Sequence, residues 1–199
     1  MSKIIVYSQE GFEGRSAEFN HDVHDLREKG FNASIASIKV IGEPWVAYYD
    51  KNLAGKQRVF EEGEYTTRDD KGQFSSLKMV SADLDNPEIQ LFEHVNCKGR
   101  SVTLRKETNL NDIAFSDIAS SHKVRGGVWV LYEGINCQGS QLISFPGEEV
   151  ASYVPLSFND VASHMAFIKE ESEDVKFEET FRVKHEDTEE QTGQFHSQS

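Results

Sequence analysis

The chain repeats one short pattern four times, and this repeat limits its fold more than any other feature of the sequence. In each copy an aromatic residue is followed, seven positions later, by a glycine. The pairs are Tyr7 and Gly14, Tyr48 and Gly55, Phe92 and Gly99, and Tyr132 and Gly139. Successive glycines are 41, 44 and 40 residues apart. Such regular spacing predicts four copies of one structural unit.

Each copy has the pattern of antiparallel β structure. A short alternating strand leads into a turn that ends at the glycine, and a second strand follows. A polar loop and a serine, which we expect to be exposed, then precede a further half-buried strand. Four strands in about 40 residues are typical of a Greek key, and two Greek keys can bury one core as a β-sandwich. The predicted fold class is therefore all-β, with two sandwich domains.

The spacing of the repeats predicts the domain boundaries. The N-terminal domain is predicted at 1–81, with Greek keys at 1–41 and 42–81, and the C-terminal domain at 88–168, with Greek keys at 88–126 and 127–168. Residues 82–87 include Asp, Asn and Pro and indicate a linker. Residues 169–199 form an acidic tail, which we interpret as disordered or as the beginning of a further domain. One helical turn is expected at 21–30, with Asp22 as N-cap and Gly30 as its stop.

Composition and missing motifs exclude several classes of function. The chain has 34 acidic and 21 basic residues and a net charge of −13, so it would repel nucleic-acid phosphates. It lacks the run of about 20 apolar residues that a membrane helix needs. No secretory signal is readable, so a cytoplasmic location is expected. The sequence contains no nucleophile elbow, P-loop or dinucleotide fingerprint, and we expect no enzyme activity.

Two cysteines hold the same position in the third and fourth copies. Cys97 and Cys137 each lie five residues after the leading aromatic residue. A buried reduced cysteine acts as a small hydrophobic residue, and in the first two copies this position holds Phe12 and Leu53. We therefore predict reduced core cysteines, the alternative being a disulfide or redox pair.

Four histidines are candidates for metal binding or catalysis. His21 and His24 are three residues apart among acidic residues and could hold a transition metal on a helical turn. The alternative is a solvated surface turn, which we favour. His122 and His164 each stand near the start of a predicted strand. We expect both of them at the surface.

The repeated pattern resembles the Greek-key motif of the βγ-crystallin family. The leading aromatic residue, Phe12, Gly14 and the later serine carry the resemblance, and it extends over residues 1–168. The stretches "VIGEPWVAYYDKNLAGK" and "FSSLKMVSADLDNPEIQLFEH" are similar to the epidermal differentiation-specific protein branch, a non-lens group. The resemblance implies that the glycine permits a left-handed turn, so that the hairpin folds back against the aromatic residue.

The resemblance also implies calcium sites in the C-terminal domain. Family members that bind calcium use six-residue loops with two Asn or Asp, two free positions, Ser or Thr, and a final Ser. The candidate ligands at these positions are Ser116, Asp117, Ser120, Asn159, Asp160 and Ser163. Ser116 departs from the first position, and His164 replaces the final serine of the fourth copy. In the family arrangement, Asp117 would pair with Ser163 and Asp160 with Ser120.

The N-terminal loops depart further from the calcium pattern. Residues 32–37 lack the acid, and residues 71–76 place a lysine where an acidic or amide ligand should be. We expect neither loop to bind calcium. An alternative for the C-terminal loops is that their Asn and Asp residues only form local hydrogen bonds with the backbone.

The resemblance implies a non-enzymatic structural or stress-protective protein of epithelial cells, with calcium as its cofactor. One alternative is a purely structural crystallin without calcium. Another is the crystallin part of an aerolysin-like pore-forming protein, whose further module would begin after Lys169. The linker permits either a monomer or a domain-exchanged homodimer, and the acidic tail could bind protein partners.

Overall fold

A computed structural model describes residues 2–31, 33–68, 70 and 73–169 of the chain. Residues up to Ile168 form one compact unit. The strands described are β1 (Lys3–Gln9), β2 (Glu13–Phe19), β3 (Ser37–Ile41), β4 (Trp45–Asp50), β5 (Ala54–Phe60), β6 (Gly63–Thr66), β7 (Ser76–Met79), β8 (Glu88–His94), β9 (Lys98–Leu104), β10 (Thr108–Asn109), β11 (Ser121–Gly126), β12 (Trp129–Gly134), β13 (Gln138–Ser144), β14 (Glu149–Val150) and β15 (His164–Phe167). Short 3₁₀ turns are described at Glu10–Phe12, Leu26–Lys29, Leu110–Ile113 and Val154–Leu156. The predicted acidic tail lies, apart from Lys169, outside the described residues.

The all-β prediction is confirmed, and the strands have Greek-key connections. One sheet has the order β2-β1-β3-β6, a second has the order β14-β11-β8-β9, and a third has the order β10-β15-β12-β13-β5-β4-β7. The third strand of a repeat leaves its own sheet and pairs with the neighbouring repeat, as β6 does with β3 and β10 with β15. In the first repeat this crossing strand is reduced to a single bridge between Val23 and Leu77.

Alternating side chains of these strands form two separate hydrophobic cores. The first core lies between residues 4 and 77 and contains Trp45, and the second lies between residues 89 and 165 and contains Trp129. Both tryptophans are fully buried. Burying one large apolar side chain contributes about 1.5 to 3 kcal/mol. Each pair of repeats therefore has a core of its own.

A third apolar cluster joins the two halves of the compact unit. Its buried members are Val46, Tyr48, Val80, Leu84, Val128, Val130, Tyr132, Ile143 and Ile168. Beside it, β5 and β13 pair at Gln57 and Gln141, so that one sheet continues through both halves. The Gln57 side-chain oxygen accepts the Ile143 N–H, and the Gln141 side-chain oxygen accepts the Val59 N–H, both at 2.9 Å. The two halves thus contact each other through equivalent residues.

The predicted helical turn is present, but its N-cap differs from the prediction. The turn covers Leu26–Lys29, and the Asp25 side chain caps it by accepting the Arg27 N–H. Asp22 instead accepts the Met79 N–H at 2.9 Å, which ties this loop to β7. Gly30 ends the turn with a φ of 82°, as predicted. The N-cap prediction used only neighbouring residues, so it could not show that Asp22 bonds to the distant backbone of β7.

Candidate functional site

The four hairpin corners have one backbone conformation. In each corner two consecutive residues have a positive φ, between 55° and 69°. These pairs are Gly11 and Phe12, Asn52 and Leu53, Asn96 and Cys97, and Asn136 and Cys137. The repeated glycine follows, and at Gly99 its φ is 79°. Glycine is favoured there by its positive φ, and a Cβ atom would lie 2.7 Å from His94 Cδ2, so a larger residue would also have to displace this exposed side chain.

A buried serine fixes the corner in the first three repeats. In the third repeat the Ser121 hydroxyl accepts the Cys97 N–H at 3.0 Å and donates to the His94 carbonyl at 2.6 Å. Ser37 and Ser76 make the equivalent pairs of bonds in the first two repeats. These serines are buried, so the prediction that they would be exposed is wrong. Because the hydroxyl satisfies two backbone groups, its burial is compatible with a stable fold.

The leading aromatic residues lie beside these corners. The rings of Tyr7 and Phe12 meet edge to face, with their centroids 5.8 Å apart. Tyr7 is half-buried, whereas Tyr48, Phe92 and Tyr132 are buried. Burial raises the pKa of the Tyr48 and Tyr132 phenols. The buried rings are therefore part of the packed structure, and the Tyr48 and Tyr132 hydroxyls remain protonated at neutral pH.

The structure brings Asp117 of the third repeat next to Ser163 of the fourth. Asp117 Oδ1 is 3.5 Å from Ser163 Oγ, and the Asp117 N–H donates to the Ala162 carbonyl at 3.1 Å. Ser116 Oγ is 3.4 Å from Ser163 Oγ. Carboxylate, hydroxyl and carbonyl oxygens are the ligands that calcium prefers. The donor set at this place therefore fits calcium.

The second pair of candidate ligands has other contacts. Asp160 Oδ2 accepts a hydrogen bond from the Asn159 amide at 2.5 Å. The Ser120 hydroxyl lies 3.4 Å from the Ile118 carbonyl, to which it donates. Asp160 and Ser120 thus have separate local partners in the structure. The equivalent N-terminal loops lie partly outside the described residues, at Asn32 and at Lys71 and Gly72.

The fourth repeat has His164 where the other three repeats have the buried serine. His164 Nε2 is 3.1 Å from Glu107 Oε1. Its Nδ1 is buried and has no hydrogen-bond partner among the residues described. Glu107, Cys137 and His164 place their ligand atoms within 4.8 Å of one another. Sequence reasoning missed this group, although the single replacement of the repeated serine by histidine was visible in the repeats.

His122 is also buried. Its Nδ1 is 2.7 Å from the Tyr153 hydroxyl, and its Nε2 is 2.8 Å from the Ser144 hydroxyl. Burial lowers the pKa of His122 to about 4. The prediction that His122 and His164 lie at the surface is therefore wrong, since both rings pack between elements that are distant in sequence.

The two cysteines are free, but they are half-buried rather than fully inside a core. Cys97 Sγ lies 3.6 Å from Glu149 Oε1, and Glu149 also pairs with Lys123. Burial raises the pKa of both thiols. His21 and His24 are exposed, and His21 Nδ1 is 2.9 Å from the Asn20 side-chain oxygen. Within the described part of the chain, no helix is long and apolar enough to cross a membrane.

Comparison with known proteins gives the relatives of the chain. The chain is 40% identical over 165 residues to the epidermal differentiation-specific protein of Cynops pyrrhogaster, covering 83% of this chain and 49% of that protein. It is 32% identical over 156 residues to human beta-crystallin B1, covering 73% of this chain and 61% of that protein. The chain thus spans about half to three fifths of the length of these two relatives.

A solved structure and a family model also match the chain. The solution structure of protein S complexed with calcium is 19% identical, with a TM-score of 0.36, over 84% of this chain and 100% of that one. The model of the Beta/Gamma crystallin family matches residues 3–81 and 88–154. Because this match includes all four hairpin corners and most of both cores, the chain belongs to the βγ-crystallin family.

Proposed function

We propose that the chain is a structural, non-catalytic crystallin of the epithelial cytoplasm. The observation that carries this proposal is the shared apolar cluster, which couples two separately packed cores. A protein whose halves stabilise each other can stay folded for long periods, because opening one half also exposes the apolar surface that covers the other. The similarity to an epidermal differentiation-specific protein supports an epithelial role.

We also propose that calcium binds the C-terminal loops and stabilises this protein. Support comes from the 3.5 Å approach of Asp117 Oδ1 and Ser163 Oγ, which belong to different repeats. A calcium ion held by Asp117, Ser163 and neighbouring backbone carbonyls would link the two loops. Since the unfolded chain does not hold these loops together, calcium would favour the folded state. Asp160 and Ser120 are the proposed ligands of a second site.

Calorimetric titration with calcium tests this proposal. We expect saturable heat with the calcium-free protein and none with the Asp117→Ala, Asp160→Ala double variant. Asp112→Ala, which removes an exposed carboxylate from a nearby turn, is the control and should bind normally. At a free calcium concentration of 100 times Kd, one site should add about 2.7 kcal/mol to the free energy of unfolding.

Two results would overturn the calcium proposal. One is the absence of heat together with a melting temperature that calcium leaves unchanged. The other is normal binding by the double variant, which would place calcium elsewhere. Neither result would affect the structural role, which is tested separately by coupling between the two halves.

We propose that the protein is a monomer, because the pairing of Gln57 with Gln141 is complete within one chain. Light scattering should give the mass of one chain, and a mass of two chains would favour domain exchange. The alternative of a pore-forming protein depends on a module after Lys169, outside the described residues. A longer transcript that encodes amphipathic β-hairpins would favour that alternative.

A further inference from the structure

The fourth-repeat cluster, formed by Glu107, Cys137 and His164, combines side chains from three segments. Glu107 directly precedes β10, the strand by which the third repeat crosses to the sheet of the fourth. Cys137 lies at the corner between β12 and β13, and His164 begins β15. Asn109 and Tyr132 are the register partners of His164 on either side, so β15 lies between the other two segments. The Greek-key connection therefore creates this cluster.

The donor atoms of the fourth-repeat cluster are close enough to share one ion. They all lie within 4.8 Å of one another, and His164 Nε2 is 3.1 Å from Glu107 Oε1. Bond lengths of about 2.0 to 2.3 Å to a tetrahedral zinc ion place neighbouring ligand atoms roughly 3.5 Å apart. A small movement of the exposed Glu107 and half-buried Cys137 side chains would close the remaining distance.

The chemistry of the donors indicates which ion would bind. Calcium and magnesium prefer oxygen ligands alone, whereas zinc takes thiolate sulfur, imidazole nitrogen and carboxylate oxygen together. The fourth-repeat cluster has one donor of each kind. Three protein ligands leave one tetrahedral position for water, which the exposure of Glu107 permits.

A second observation concerns the imidazole of His164 itself. The His164 side chain is 9% exposed, and its buried Nδ1 has no hydrogen-bond partner among the described residues. A buried polar atom without a partner costs about 1 to 3 kcal/mol. In the other three repeats a serine satisfies two backbone groups at this position. The fourth repeat has thus exchanged a satisfied serine for a histidine whose buried Nδ1 lacks a partner among the described residues.

The surroundings of the thiol favour a cation. The Glu107 carboxylate lies within 4.8 Å of the Cys137 sulfur and of a nitrogen of His164. Carboxylates that oppose a thiolate create a negative potential, which a divalent cation would neutralise. The Tyr132 and His164 rings also contact each other in an edge-to-face arrangement, with centroids 6.2 Å apart.

We propose that Glu107, Cys137 and His164 bind one zinc ion that ties the crossing segment of the third repeat to the fourth repeat. This site adjoins the proposed calcium loop of the fourth repeat, because His164 directly follows Ser163, but none of its three ligands is a residue proposed for calcium. Zinc would hold together segments that are separate in the unfolded chain and would stabilise the C-terminal half.

The third repeat provides a matched control. Cys97 occupies the position equivalent to Cys137 and also has a carboxylate neighbour, Glu149. Ser121 stands there in place of the histidine, and Lys123 pairs with the carboxylate. Cys97 therefore has a similar thiol environment without an imidazole ligand and with a competing cation.

The test is titration of the full, untagged, reduced protein with Zn²⁺ by calorimetry and with Co²⁺ by absorption spectroscopy. We expect one zinc ion per chain and a cobalt spectrum with thiolate charge-transfer absorption and intense tetrahedral bands. Cys137→Ser and His164→Ser should each weaken zinc binding by more than about tenfold. Cys137→Ser, which removes the sulfur ligand, should also abolish the thiolate absorption. Cys97→Ser should change neither measurement.

His164→Ser also separates zinc from calcium. The substitution gives the fourth repeat the buried serine of the other three repeats, so the variant should fold. It also completes the calcium loop pattern. Loss of zinc with retained calcium heat would support two separate sites. Absence of zinc binding by the parent, or zinc binding that survives Cys137→Ser and His164→Ser, would overturn the zinc proposal. Zinc binding at His21 and His24 would survive both substitutions and would show no thiolate absorption.

Discussion

Single side chains at equivalent positions of the four repeats have different environments in this protein. The position that closes each corner, which we call the tether position, holds Ser37, Ser76, Ser121 and His164 in the four repeats. Each of the three serines satisfies two backbone groups. One position further along the third repeat, His122 is enclosed between Tyr153 and Ser144. The identity of one residue therefore decides whether a corner is closed by hydrogen bonds or offers a metal ligand.

Replacing Ser121 with alanine should destabilise the protein by about 1 to 3 kcal/mol. The variant would leave the Cys97 N–H and the His94 carbonyl without the partner they have in the folded protein. Urea unfolding measures the change, and Ser140→Ala, at an exposed position of the fourth repeat, is the control. An equal effect of the two substitutions would show that the tether contributes little.

Acidification should destabilise the protein through His122. Its pKa is about 4 in the folded state and 6.5 as a model value for the unfolded chain. As the pH falls below 6.5, the unfolded chain therefore takes up a proton that the folded protein does not, and stability decreases until about pH 4. Between pH 7.5 and 5.5 the loss should be about 1 kcal/mol.

Urea unfolding at these two pH values, above the isoelectric point of about 5.0, measures this effect. In His122→Gln the loss between pH 7.5 and 5.5 should be smaller by about 1 kcal/mol. Glutamine keeps polar atoms for Tyr153 and Ser144 but does not titrate. An unchanged pH dependence in this variant would contradict the assignment to His122.

Strands and turns of this protein followed largely from local sequence. Alternating residues and the repeated glycine predicted the antiparallel hairpins, because one face of each strand is buried and the left-handed corner needs glycine. The crossing strands were harder to place, since β10 and β14 have only two residues each. Their position depends on partners in the neighbouring repeat, as with Asn109 and His164. The fourth-repeat cluster could not be predicted for the same reason.

In the whole molecule, the two halves are coupled through the shared apolar cluster and the pairing of Gln57 with Gln141. Each half has its own core and one buried tryptophan, Trp45 or Trp129. The coupling makes a single cooperative unfolding transition the expected behaviour. The proposed structural role depends on the strength of this coupling.

Fluorescence of two single-tryptophan variants tests the coupling. Trp129→Phe leaves Trp45 to report the first half, and Trp45→Phe leaves Trp129 to report the second. The two urea unfolding curves should each show one steep transition, at the same urea concentration. When Val130→Asp is added to both variants, the two transitions should occur at different urea concentrations. Val130 is 2% exposed in the shared cluster, and a buried carboxylate without a partner is costly.

The control for Val130→Asp is Val95→Asp, at a position that is 41% exposed. This control should leave the relation between the two curves unchanged. If Val130→Asp also left the relation between the two unfolding curves unchanged, the halves would not be coupled through the shared cluster. Each comparison uses the same pair of tryptophan reporters, so the effect of removing a tryptophan cancels.

The sequence by itself determined the all-β class, the four repeats and the family of this protein. These depend on local alternation, on glycine at left-handed corners and on their regular spacing, all of which are visible along the chain. Only the tertiary structure decided that the repeated serines and both strand-entry histidines are buried, and that Glu107 meets His164. Burial and contact at these residues depend on strands exchanged between repeats, and the contact of Glu107 with His164 joins residues 57 positions apart, which local sequence does not specify.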